Sequence, residues 1–168
     1  MPDTGAPWNI PYVAGTDLVA DWPTDNQTMA EAVADALDDA WKVRQVVTAS
    51  TSTTTSTTST SRQNTSLTAT ITPTSDTSQI LVIVNVETMT CNNSTSAAVL
   101  DVYNGTSDST VDATVDGTTT ETGHNITYLD SPASSSAVTY TARLRRTGAS
   151  ATVTVAGWQT IVLMEVAA

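Results

Sequence analysis

Phenylalanine is absent from this sequence, and cysteine, histidine and lysine each occur once. A single cysteine excludes an intrachain disulfide, and Cys91 is expected to be an inert strand or loop residue. His124 lies in a Thr-rich stretch with nothing beside it to orient the ring, so no Ser-His-acid set can be assigned. A surface or interface position is expected for it. These shortages predict a non-enzymatic protein that binds no cofactor.

Sequence patterns typical of phosphate-binding and metal-binding sites are also missing. The sequence has no Gly-rich phosphate loop and no zinc-ligand spacing. Five acids occur in and after a loop-rich stretch, but their spacing does not fit a calcium-binding loop. We expect solvated acids there, with a cation held between loops as the alternative. These acids are Asp101, Asp108, Asp112, Asp116 and Glu121.

Basic residues and long apolar runs are scarce. The net charge is −11 with only six lysines and arginines. Such an acidic surface repels phosphate backbones, so no nucleic-acid partner is expected. No apolar run approaches the length of a membrane span, and the N-terminus lacks a basic segment followed by an apolar one. We therefore expect neither membrane insertion nor a signal peptide.

What is present changes character near residue 44. Residues 1–43 are rich in Pro, Ala and Asp and hold three of the four tryptophans, whereas the rest is rich in Thr and Ser with alternating apolar residues. This change predicts three parts. Residues 1–24 form an extended docking arm, residues 25–43 form an α-helix, and residues 44–168 form a β body.

The predicted arm combines prolines with large apolar side chains. Proline blocks helix formation and biases the preceding residue toward an extended conformation. Aromatic residues on such an arm are typical anchors at interfaces. The candidate docking residues are Trp8, Tyr12, Leu18 and Trp22. The alternative is that these side chains pack on their own β body.

The predicted helix has a start signal and an apolar seam. Thr28 and Glu31 fit a capping box, with Asp25 and Asn26 as alternative caps. Apolar residues then follow a coiled-coil-like spacing with a second stripe beside it. The candidate oligomerisation residues are Met29, Val33, Ala36, Leu37, Ala40, Trp41 and Val43. Because so short a helix is marginal alone in water, we expect packing in a homotrimer, or else on the β body.

The remaining sequence predicts an antiparallel β-sandwich or jelly roll, so the chain is mainly β. Alternation of apolar and polar residues is clear in 138–145. Turn signals occur at 104–106, 116–117 and 147–149. Residues 50–61 are nearly all Ser and Thr, which fits either disorder or an edge strand. The predicted strands are Arg44–Ser50, Ser52–Ser61, Ser66–Thr72, Gln79–Thr88, Ala97–Tyr103, Asn125–Leu129, Ala137–Arg146, Ala151–Val155 and Thr160–Val166. Trp158, in a turn-like segment, is either a core residue or a lone sugar-binding platform.

Two sets of segments resemble virion proteins of tailed bacteriophages. Residues 8–23, from Trp8-Asn-Ile-Pro-Tyr through Thr-Asp-Leu-Val to Trp-Pro23, followed by the Ala/Asp helix at 29–40, resemble the start of small tail-fibre, minor-tail and head-fibre proteins. The second set resembles a β domain of phage fibres and accessory proteins. It comprises Thr57–Ser61, Ser66–Ser75, Ser78–Val82 and Ile161–Val166. Where such domains carry an aromatic-Asp-Thr-Gly turn, this chain has Arg62-Gln-Asn-Thr-Ser66 instead.

The resemblance implies an exterior virion protein, made in the host cytoplasm and usually trimeric. The leading hypothesis is a structural protein, either a capsid decoration or head fibre or a short tail fibre, whose partners are its own copies and major capsid or tail proteins. The alternative is a receptor- or glycan-binding tail module that contacts a host surface glycan during adsorption.

Overall fold

The computed structural model describes residues 22–40, 43–109, 111–117 and 120–167. The chain divides into two units, residues 1–42 and 43–168. In the first unit the described element is α1, Trp22–Ala40. The predicted docking residues Trp8, Tyr12 and Leu18 lie outside the described residues, as does Trp41.

The helix begins and ends earlier than the sequence predicts. Trp22 is its first residue and is therefore not in an extended arm. Pro23 is tolerated because the first turn of a helix leaves backbone N–H groups without intrahelical partners. The Thr28 hydroxyl donates to the Thr24 carbonyl within the helix (2.9 Å), so the predicted capping box at Thr28 is wrong. Val43 is also wrongly predicted as helical, since it is the first residue of β1.

The second unit is built from nine described strands. They are β1 Val43–Thr51, β2 Thr55–Thr57, β3 Gln63–Ile71, β4 Gln79–Cys91, β5 Ser96–Tyr103, β6 Ala113–Asp116, β7 Thr120–Asp130, β8 Val138–Gly148 and β9 Val153–Val166. All the described pairings are antiparallel. One sheet has the order β1-β9-β4-β7, with β2 also paired to β9, and the other has the order β3-β8-β5-β6. The prediction of a mainly β chain with antiparallel sheets is confirmed.

Both sheets contribute to one hydrophobic cluster. Its side chains alternate along the strands with exposed or half-buried ones, as in β3 and β8. Most are Val, Ile, Leu and Ala, in keeping with the absence of Phe, and the buried Tyr140 is the largest. Burying apolar side chains of this kind supplies the main favourable free energy of folding.

Two strands differ from their predictions in ways that have a local cause. β9 runs unbroken through the segment predicted as a turn near Trp158. Gly157 has φ of 75°, and the pairing with β4 shifts between Val86 and Thr88, so the glycine lies in a β-bulge and not in a turn. The short β6 was not predicted, because four residues give too little alternation.

The Ser/Thr-rich segment is ordered mainly by partners from the rest of the chain. Within the predicted strand 52–61, only Thr55–Thr57 forms a strand, paired to β9. Beyond it, the Arg146 backbone N–H donates to the Ser59 carbonyl (2.9 Å), and Arg146 Nε donates to the Thr58 carbonyl (2.6 Å). A segment without apolar residues is thus held by backbone hydrogen bonds to more apolar strands.

Candidate functional site

An apolar row crosses the outer face of the first sheet. Along this row Val46 of β1 is opposite Met164 of β9, Met164 is opposite Leu81 of β4, and Leu81 is opposite Leu129 of β7. Alternating residues of a strand point to opposite faces of the sheet. The residues on either side of each member of this row are more buried than that member, and several of them belong to the hydrophobic cluster or pack on it. Val46 is 54% exposed and Leu129 51% exposed, so the two ends of the row are open to solvent.

The two rows beside it are also uncharged. The next row is Thr48, Val162, Ile83 and Thr127, and the third is Ser50, Thr160, Asn85 and Asn125. In the third row Asn125 Nδ2 donates to Asn85 Oδ1 (2.7 Å), and Thr127 of the second row donates to Asn125 Oδ1 (2.7 Å). These twelve positions, which we call the docking face, carry no charged side chain although the chain has a net charge of −11.

The described part of α1 also exposes apolar side chains. Met29 is 37% exposed and Val33 is 38% exposed, whereas Ala36 is half-buried. The predicted oligomerisation residues Leu37 and Ala40 lie in the helix, but their side chains are outside the described part of the structure. Val43, at the start of β1, is 41% exposed. The helix seam is therefore available to a partner at the positions that are described.

Arginine side chains neutralise several of the acids predicted to be solvated. Asp101 lies in β5 with no exposed surface and pairs with Arg62 and Arg143. Asp108 pairs with the same two arginines. The Arg143 guanidinium also lies over the Tyr103 ring, 4.3 Å from its centroid. The prediction of a solvated loop acid is therefore wrong for Asp101, because Arg62, just before β3, and Arg143 of β8 come to it from distant parts of the sequence.

The other predicted acids do not gather into a metal site. Asp112 is 3.8 Å from Arg145, and Asp116 ends β6. Glu121 lies in β7, but its side chain is outside the described part of the structure. Within the described ranges, no cluster of three or more His, Cys, Asp or Glu residues could hold a metal ion.

The residues considered above for catalysis or ligand binding, Cys91, His124 and Trp158, lie on strands. Within the described residues they do not form a catalytic group. Cys91 is buried at the end of β4, where its thiol contacts the Asn93 carbonyl (3.6 Å). His124 is half-buried in β7, opposite Val86 of β4. Trp158 is 59% exposed and is not a core residue. Its backbone N–H donates to Glu87 Oε2 (2.6 Å), which fixes the bulge that presents the indole.

Within the described ranges, no helix combines the length and apolar content needed to cross a membrane. No protein-family model matches the chain, and no curated protein matches it.

Proposed function

We propose that this chain is a non-enzymatic structural protein of the exterior of a tailed-virus particle. In this proposal the N-terminal segment and α1 attach the protein to capsid or tail proteins, and the β body packs against other copies in a homotrimer. The support for assembly is the docking face, an uncharged surface with an open apolar row in a strongly acidic chain. The support for the virion is the sequence resemblance to phage accessory proteins.

The two sheets support the finer part of the fold proposal. We infer that they pack face to face as an antiparallel β-sandwich or jelly roll, because one hydrophobic cluster draws side chains from both. This arrangement leaves the outer face of the first sheet free to meet another subunit. An apolar row there is typical of an interaction surface when polar residues border it.

Charge favours a second copy as the partner of the docking face. Two molecules of charge −11 repel each other wherever acids meet. On the docking face no acid would be brought next to another, so apolar contact is not opposed by close like-charge pairs. Two positions along a strand from these rows, the exposed charged residues are Arg44 in β1 and Glu87 in β4, whereas the adjacent Asp130 and Glu165 are half-buried and buried.

Oligomeric state tests the assembly role. The full chain is expected to be a trimer by light scattering, and Val46→Asp with Leu129→Asp is expected to give monomers, because each copy then brings new negative charge to the apolar row. Both side chains are more than half exposed, so the fold should tolerate the change. Val111→Asp is the matched control, since Val111 is 40% exposed outside the docking face. A monomeric native chain, or equal dissociation by the control, would contradict the proposal.

Position on the virion needs a direct measurement. Antibodies raised against the full chain and viewed by electron microscopy on purified particles of the virus that encodes it should label the exterior. Label on the capsid supports a decoration protein or head fibre, and label on the tail supports a short tail fibre. Particles that contain no copy of the chain would contradict a virion role altogether.

A further inference from the structure

A polar pocket of about 490 Å³ lies beside the end of β7. One wall is the turn at Asn104–Ser107 and the other is the loop after Asp130, with Thr139 of β8 also in its lining. This volume falls within the range of small-molecule sites, roughly 300–1,000 Å³. Five of the eleven lining residues carry a hydroxyl group and one carries a carboxylate, which is unlike the aliphatic core.

The carboxylate of Asp130 is held in a fixed orientation. Buried Tyr140 donates its hydroxyl to Asp130 Oδ2 (2.7 Å), and Asn104 Nδ2 donates to the same oxygen (2.9 Å). Burial and the hydrogen bond to Asp130 raise the pKa of Tyr140, so this hydroxyl stays protonated and remains a donor. Asp130 lines the pocket, and both hydrogen bonds use Oδ2, so Oδ1 accepts neither of them.

The first wall is held by its own hydrogen bonds. Asn104 Oδ1 accepts from the backbone N–H groups of Thr106 (3.0 Å) and Ser107 (2.8 Å). The Asn104 N–H donates to the Ser107 carbonyl (3.1 Å), and the Tyr103 hydroxyl donates to the Gly105 carbonyl (2.7 Å). A turn ordered in this way loses little further conformational entropy when a ligand binds.

The second wall is ordered in a similar way. Ser134 Oγ accepts from the Ser136 backbone N–H (3.0 Å), and Gln79 Nε2 donates to Ser131 Oγ (3.2 Å). Ala133 between them has φ of 49°, a left-handed conformation that non-glycine residues seldom adopt. The surrounding loop therefore holds this wall in one conformation.

We propose that this pocket binds a neutral saccharide, with vicinal hydroxyls donating to Asp130 Oδ1 and exchanging hydrogen bonds with the Ser and Thr hydroxyls of the walls. Hydroxyl groups both donate and accept, so a polyhydroxylated ligand matches walls that do the same. A carboxylated sugar would be repelled by Asp130 and by the acidic chain.

A glycan array tests this proposal with the full-length protein. The array should carry neutral and carboxyl-bearing saccharides, and binding is expected to the neutral ones alone. Calorimetric titration with the best neutral saccharide should then show at least tenfold weaker binding for Ala137→Leu, which fills the pocket at an exposed lining position. Asp130→Asn should weaken binding to a similar degree. The matched control is Ser135→Leu, an exposed position in the same loop that does not line the pocket.

Three results would overturn the proposal. They are the absence of any neutral ligand on the array, a preference for carboxyl-bearing sugars, and unchanged binding by Ala137→Leu. Asp130 also accepts hydrogen bonds from Tyr140 and Asn104, so weaker binding by Asp130→Asn could come from a folding defect. Ala137→Leu does not remove these hydrogen bonds, so it still tests the proposal if Asp130→Asn unfolds. The oligomeric state of Ala137→Leu should equal that of the native chain, so failure here is distinct from failure of the docking face.

Discussion

At the scale of single residues, the most informative side chain is a carboxylate buried in the first sheet. Glu165 of β9 has no exposed surface. Its Oε1 accepts from the Thr74 backbone N–H (2.7 Å) and from the Thr74 hydroxyl (2.6 Å), and its Oε2 accepts from Gln45 Nε2 (2.6 Å). Glu165 thus joins β1, β9 and the β3–β4 connection. An ionised carboxylate is stable in such a place only when hydrogen bonds replace its water.

Low pH should lower the stability of the fold by protonating Glu165. Burial by itself would raise its pKa, but hydrogen bonds from Thr74, Gln45 and Ser78 lower it from 4.5 to about 2. The ionised form is therefore favoured by folding, so its stabilisation is complete above about pH 4.5 and is lost as the pH falls toward 2. The loss amounts to about 3 kcal/mol at most.

Urea unfolding of the native chain and of Glu165→Gln, each at pH 7 and at pH 3, measures this contribution. At pH 7 the variant should be about 2–3 kcal/mol less stable, because an amide cannot accept all the hydrogen bonds that the carboxylate accepts. Between pH 7 and pH 3 the native chain should lose more stability than the variant loses. Equal losses would show that other groups set the acid sensitivity.

The sequence predicts neither the burial of Glu165 nor its partners. Ile161, Leu163 and Glu165 share one face by alternation, but Val162, Met164 and Val166 on the other face are all apolar, so the pattern does not show which face is buried. Gln45 is 120 positions away and Thr74 is 91 positions away, and only the pairing of β1 with β9 and the path of the β3–β4 connection bring them together. The pairing of Asp101 with Arg62 and Arg143 was unpredictable for the same reason.

At the scale of elements, local patterns predict strands well and irregularities poorly. β1, β3, β5 and β8 lie within about three residues of their predicted bounds at each end, since alternation over eight or more residues is a strong signal. The pattern at Gly157 predicts a turn, because sequence alone does not distinguish a β-bulge from a chain reversal. Pro23 predicts a helix that begins after it, although the first turn of a helix accepts proline.

The turn between β8 and β9 depends on one glycine. Gly148 has φ of 79°, and a Cβ atom there would overlap the Thr95 carbonyl oxygen. Gly148→Ala should therefore destabilise the body by roughly 2–5 kcal/mol, combining left-handed backbone strain with a steric clash. The measurement is the urea midpoint at constant m-value.

Gly105→Ala provides the control for this turn. Gly105 has φ of 88° but nothing within 4 Å of an added Cβ. It should cost only the backbone strain, about 1–2 kcal/mol. If the two substitutions proved equally destabilising, close packing against Thr95 would not be what requires a glycine at position 148.

At the scale of the whole molecule, the change in composition near residue 44 coincides with a division of structure. The boundary between the two units falls between residues 42 and 43. Among the described residues, those of the hydrophobic cluster belong to the second unit, between Leu67 and Leu163. The prediction that Trp8, Tyr12 and Leu18 are docking anchors stays a prediction, because they lie outside the described residues. Sequence patterns do not predict the docking face, because its rows join four strands and no local pattern encodes the order of strands in a sheet.

Removing residues 1–42 separates the roles proposed for the two units. Because the hydrophobic cluster of the described residues lies within 43–168, the truncated chain should fold and unfold in urea with a midpoint close to that of the full chain. It should fail to join virus particles, since the proposed attachment segment is gone. An unfolded product would instead support packing of the N-terminal aromatics on their own β body.

The oligomeric state of the same truncated chain decides which surface drives assembly. Exposed Met29 and Val33 offer a seam too short to associate strongly by itself, whereas the docking face spans four strands. We therefore expect the chain of residues 43–168 to remain trimeric by light scattering at micromolar concentration, and to become monomeric when Val46→Asp and Leu129→Asp are added. A truncated chain that is monomeric without those substitutions would assign trimerisation to the helix, as its apolar spacing predicted, and would leave the docking face to contact a capsid or tail protein.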